Sequence, residues 1–147
     1  MSDDPYAPFW PGDDVVDWVG MSVYHWGNAY PRGENEEPEA GKFAALLTGT
    51  YQGIGGDERA VPDFYAVYGQ GHGKPVAVTE TAALYAPERD GAGEEAVKAG
   101  WWRQVTDPEI ARRFRRVQMV NWFEWDKQEN EIGGRVDWTV TRSATSR

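Results

Sequence analysis

Three short apolar runs, far apart in the chain and separated by helical sequence, constrain the fold more than any other feature. In the first, Val19, Met21 and Val23 alternate with Gly20, Ser22 and Tyr24, the period of two expected of a strand. In the second, Pro75 to Val78 is a nearly continuous apolar run leading to Glu80, the pattern of a strand covered on both faces. The third spans roughly Val117 to Phe123. Between them lie helical segments. Lys42 to Leu47 is a short one. "PDFYAVYG" (62–69) has Pro62 suited to a first turn, Phe64, Val67 and Tyr68 on one face, and Gly69 to terminate it. Residues 93–105 form a helix containing Trp101 and Trp102, and Asp107-Pro108 caps another that runs to about Arg113. Strands alternating with helices predict βαβ units, a parallel sheet and an α/β fold.

At 147 residues this is one domain. Residues 1–14 read as a loop leading into the first strand. The acidic run Glu34 to Glu37 reads as a solvated loop, Gly49 to Gly56 as a glycine-rich one, and 139–147 as a flexible tail.

All three strands end in polar or aromatic residues. In βα architectures that edge is where loops converge and sites assemble. Glu80, Tyr24, and Trp122 with Trp125 would then face one another. A carboxylate, a phenol and indoles around one pocket suit a sugar. Indole faces stack on the apolar face of a pyranose, while acids and hydroxyls meet its oxygens. The plainer readings stand beside this one. A Glu after a strand is most often a cap or a surface acid, and a Tyr in this position is most often a core-edge residue. Trp18, Trp101 and Trp102 are assigned to packing.

Several classes are excluded. A net charge of −9 argues against a nucleic-acid partner. No run of about 18 apolar residues spans a membrane, and cysteine is absent, which removes disulfide and thiolate chemistry. His25 and His72 are lone histidines without a paired acid or ligand spacing, so neither a metal nor another cofactor is expected. "GQGHG" (69–73) precedes a strand instead of linking strand to helix, so it is no phosphate loop. No Gly-x-Ser-x-Gly elbow occurs. The start of the sequence has neither the basic end nor the apolar middle of a signal peptide, and the compartment stays open.

"FWPGDDVVDWVGMSVYHWG", "KPVAVTETA" and "VNWFEWDKQ" resemble, in order, three landmarks of glycoside hydrolase family 26, the β-mannanase family. The resemblance implies the C-terminal part of a (β/α)8 barrel, with equivalents of strands six, seven and eight. It implies a retaining hydrolase of a β-linked polysaccharide, mannan or a related glycan, for which secretion is the family expectation. Carried over, Glu80 matches the nucleophile after strand seven and Tyr24 the strand-six tyrosine that hydrogen-bonds it. Trp122 matches the strand-eight tryptophan beside the cleaved sugar, with Trp125 taking that place if the register slips, and Trp26 sits where the family has a groove aromatic.

The departure is as informative. The family's acid/base glutamate follows strand four in a His-Glu context, and this chain has no such segment. Such a barrel needs about 250 residues. The chain therefore reads as a partial catalytic domain whose partner is the missing N-terminal barrel half, with little hydrolysis expected of it alone. Exposed sheet edges make the separate piece prone to aggregate. Two other classes remain open: a non-catalytic carbohydrate-binding remnant with a Trp-lined groove, and a module whose aromatics form a protein interface.

Overall fold

The computed structural model describes residues 4–29, 32–54 and 63–141. Strands β1 (Val19–Ser22), β2 (Val76–Thr81) and β3 (Val117–Trp122) form a parallel sheet in the order β1-β2-β3, with β2 at its centre. The fold is thus mixed α/β with an open three-stranded sheet, not a closed barrel. Helices α1 (Lys42–Leu47), α2 (Glu94–Val105) and α3 (Pro108–Arg113) fall where the sequence predicts them. The cap on α3 is built as expected: the Asp107 carboxylate accepts the Glu109 N–H at 2.7 Å, and Pro108 opens the first turn.

One core lies between the sheet and the helices. Val76 and Val78 of β2 are fully buried against Val97, Trp101 and Phe114. Phe43 of α1 meets Trp101 edge-on at 5.5 Å between ring centroids. A second apolar cluster forms beyond the strand ends. Ala82, Leu84 and Ala86 continue from β2 and pack with Val136 and Trp138. Val136 lies on the second strand of a hairpin, β4 (Asp126–Glu129) with β5 (Gly134–Asp137), and Trp138 directly follows it. The Asp137 N–H donates to the Tyr85 carbonyl at 2.8 Å, and the Lys98 ammonium of α2 reaches the Asp137 carboxylate at 3.3 Å. The hairpin is therefore fixed both to the chain beyond β2 and to α2.

Four expectations need correction. The helix predicted over 62–69 is a π-helix over Tyr65–Gly71, and Pro62 lies outside the described residues. Gly69 does not end it. A Cβ at that position would lie 2.8 Å from Cγ2 of Val76, so glycine lets the helix settle on the central strand. The acidic loop is not simply solvated. Glu36 turns inward to accept the N–H groups of Asn28 and Ala29 at 2.5 and 3.2 Å. Buried Asn35 donates to the carbonyls of Ala86 and Arg89 and accepts the Ala86 N–H. Only Glu34 and Glu37 of the run are exposed. The tail expected from 139 is held as far as Thr141: Thr139 is buried on Asp137, and Glu124 accepts from the Val140 N–H and the Thr141 hydroxyl. Residues 142–147 lie outside the described residues. His72 is not unpaired. Its Nδ1 lies 2.9 Å from the Asp13 carboxylate, and its ring stacks on Tyr68.

Candidate functional site

The site grows from a break in strand alternation. Pairing runs Val19↔Val76, Gly20↔Ala77, Met21↔Val78, then skips, so that Ser22 lies opposite Glu80. On its other side β2 skips between Val78 and Thr81. A regular strand would turn one of two neighbouring residues into the core. Here the irregularity leaves both Thr79 and Glu80 exposed at the C-terminal end of the central strand. Thr81 returns to the interior, where its hydroxyl accepts the Trp101 indole N–H at 2.8 Å. Thr79 approaches the Ser22 hydroxyl at 3.4 Å. The two threonines thus serve the sheet and the core and do not bond Glu80.

Tyr24, just past β1, does. Its hydroxyl donates to Glu80 Oε2 at 3.0 Å. The phenol is held well above its usual pKa, first by burial, then by the hydrogen bond to Glu80 and the negative charges of Glu80 and Glu129. It therefore remains a protonated donor across the working pH range. Of the pair, the phenol ring is half-buried and the carboxylate exposed.

An aromatic wall continues from Tyr24. Trp138 meets Tyr24 edge-on at 5.3 Å and Trp26 at 4.9 Å. Phe123 meets both Tyr24 and Trp125, each at 6.1 Å. Trp125 is 59% exposed, with the Lys127 ammonium 5.8 Å from its ring, so much of its indole stays open to solvent. Trp26 and Trp125 therefore join the wall. Trp122 comes alongside through strand pairing with Thr81, but its ring turns edge-on to Trp102 of α2, and its N–H donates to the Trp138 carbonyl. It braces the wall from behind.

A groove of about 710 Å³ runs along β1 and opens on Tyr24 and Trp26. Trp18, assigned to packing from the sequence, lines it and is 45% exposed, whereas Trp101 is completely buried as expected. Trp102 is 43% exposed on α2. His25, beneath the site, is fully buried and stacks on Trp101, with Nε2 2.7 Å from the Glu36 carbonyl.

Three acids of the hairpin region are engaged, while Glu131 stands exposed in its turn. Asp126 holds the Arg135 guanidinium. Glu124 accepts from residues 140 and 141. Glu129 accepts the Trp138 indole N–H at 2.8 Å and pairs with Lys127 at 3.1 Å. Among the described residues no group of three or more His, Cys, Asp or Glu could hold a metal ion, and no helix is long and apolar enough to cross a membrane.

Phe123, Glu129 and Trp138 escaped the sequence reading. The repeated "VDW" at 136–138 was the one available signal for Trp138, and three residues carry little weight alone. No family model, curated protein or solved structure matches the chain.

Proposed function

We propose that this chain carries the nucleophile half of a retaining glycoside hydrolase site for a β-linked polysaccharide, mannan or a related glycan. The observation that carries the reading is the 3.0 Å hydrogen bond from the Tyr24 hydroxyl to Glu80 at the C-terminal ends of adjacent parallel strands. In this reading Glu80 attacks the anomeric carbon. The bond to the leaving oxygen breaks and a glycosyl ester forms on the carboxylate. Tyr24 aims the carboxylate, Trp26 and Trp125 offer faces to sugar rings, and Trp122 steadies the wall behind them.

Retention needs a second carboxylic acid about 5–5.5 Å from the first, to protonate the leaving oxygen and later activate water. Glu124, Asp126 and Glu129 are engaged by other partners and Glu131 stands in the exposed turn between β4 and β5, so we assign that role to a partner segment. The open sheet is compatible with a piece of a (β/α)8 barrel completed by an N-terminal half.

The test uses a substrate whose departure needs no proton. A dinitrophenyl fluoro-mannoside loses dinitrophenolate unaided, and its fluorine slows hydrolysis of the ester. Incubated with the full chain, it adds one fluoromannosyl group, which peptide mass spectrometry finds on Glu80. Glu80→Gln abolishes the adduct, and Tyr24→Phe slows its formation by about tenfold or more, the range of one positioned hydrogen bond. An adduct elsewhere, or none with either the mannoside or the matching glucoside, refutes the nucleophile reading. The exposed indole of Trp125 favours a second reading, a carbohydrate-binding surface without catalysis. Oligosaccharide binding that survives Glu80→Gln, without any adduct on the unmodified chain, is its signature.

A further inference from the structure

Buried carboxylates are rare because ionised groups are costly to remove from water, and they persist where charge and hydrogen bonds compensate. Glu129 is 8% exposed at the end of β4. It has two compensating partners, the Lys127 ammonium at 3.1 Å and the Trp138 indole N–H at 2.8 Å. The second partner is the informative one. The Trp138 ring is completely buried and touches Tyr24, Trp26 and Phe123. Its backbone is held as well: its N–H donates to the Trp125 carbonyl at 2.9 Å, and its carbonyl accepts the Trp122 indole N–H at 2.8 Å. Each of the four aromatics assigned to the site from the sequence, Tyr24, Trp26, Trp122 and Trp125, thus meets Trp138 by ring or by backbone, and Glu129 fixes the polar edge of its ring.

The Tyr24 phenol has little room to choose its direction. Trp138 and Phe123 meet it edge-on, at 5.3 and 6.1 Å, and Trp26 meets it at 6.0 Å. These contacts set where the hydroxyl points, and it points at Glu80. A rotation of the Trp138 indole would move the surface on which Tyr24 rests. We infer that Glu129 and Trp138 are positioning residues, through which the β4–β5 hairpin holds the Tyr24 hydroxyl on Glu80. The inference rests on the reading of Glu80 as the reacting carboxylate, but it can be measured without any reaction.

The measurement is the side-chain carboxyl-carbon NMR resonance of Glu80 in the full chain, assigned by its loss in Glu80→Gln. Tyr24→Phe sets the size of the shift when the hydrogen bond is lost. Glu129→Leu, which removes the acceptor, moves the resonance in the same direction by at least half as much. Glu129→Gln keeps an acceptor oxygen for the indole N–H and returns it toward the wild-type position. Trp138→Phe keeps an aromatic ring but removes the N–H, and reproduces the Glu129→Leu shift; it decides the matter if Glu129→Leu does not fold. A Glu80 resonance unchanged in Glu129→Leu or Trp138→Phe, with only the melting temperature lowered, overturns the inference by reducing both residues to structural support. A resonance unmoved by Tyr24→Phe overturns it too. If the variants show these shifts but the wild-type chain takes no label from either the fluoro-mannoside or the matching glucoside, the positioning inference stands and the glycosidase reading falls.

Discussion

His25 should make the fold acid-sensitive in a window set by its burial. The ring is fully enclosed, stacked on Trp101, with one nitrogen 2.7 Å from the Glu36 carbonyl. Its other nitrogen, Nδ1, is buried without a partner. Burial, then the nearby Lys42 charge, lowers its pKa to about 4, against 6.5 for an exposed histidine. The unfolded chain therefore takes up a proton below pH 6.5 that the folded chain refuses until about pH 4. The stability contribution is fully present above pH 6.5 and declines as pH falls toward the folded value. Linkage gives a loss of about 1.4 kcal/mol by pH 5.5 and about 3 kcal/mol by pH 4. Urea unfolding at pH 7.5, 5.5 and 4.5 measures the slope, with His25→Gln separating this group's contribution from all others. The variant starts less stable but loses correspondingly less between pH 7.5 and 4.5. An acid slope equal in both proteins, or a His25 ring resonance that titrates near pH 6.5 in the folded state, would show that the ring is not held neutral and would refute the reasoning.

Three further substitutions test the parts that position the site. Gly69→Ala drives a methyl against Val76 on the central strand, and overpacking outweighs the helix-propensity gain, lowering unfolding free energy by about 1–2 kcal/mol in urea. Asp107→Ala removes the cap on a six-residue helix and costs about 1 kcal/mol by thermal unfolding, with little change in Glu80 labelling because α3 lies apart from the aromatic wall. Asn35→Ala leaves the Ala86 N–H and two carbonyls without their side-chain partner, costs about 3 kcal/mol, and raises amide exchange at Ala86.

What could be read from the sequence was local. Apolar runs marked the three strands, and Asp107-Pro108 marked a helix start, because each signal lies within a few residues of the feature it describes. The features that build the site are long-range. Asn35 ties its loop to Ala86, 51 residues away, so acidic composition alone suggested a solvated segment. His72 finds Asp13 across 59 residues. Glu80 was visible as an acid at a strand end, but its exposure beside an exposed Thr79 depends on skipped pairing with both neighbouring strands. Trp138 was least legible, since its contacts with Tyr24, Trp26 and Phe123 exist only once the hairpin folds back over the strand ends.

That distribution has a mechanical consequence. The central strand carries Glu80 and is paired on both sides, so its backbone is well held. The groups that aim and flank the carboxylate stand on the loop after β1 and on the β4–β5 hairpin, outside the parallel sheet. The hairpin is anchored by Lys98 to Asp137, by the Asp137 N–H to Tyr85, by the Arg89 guanidinium to the Ile132 carbonyl, and by the Trp122 indole N–H to the Trp138 carbonyl. None of these bonds belongs to the ladder of the parallel sheet, so the hairpin can loosen without unfolding that sheet. Perturbing it should therefore disturb the Tyr24–Glu80 contact before it disturbs the fold, whereas perturbing Val76 or Val78 in the core should lower stability and the contact together.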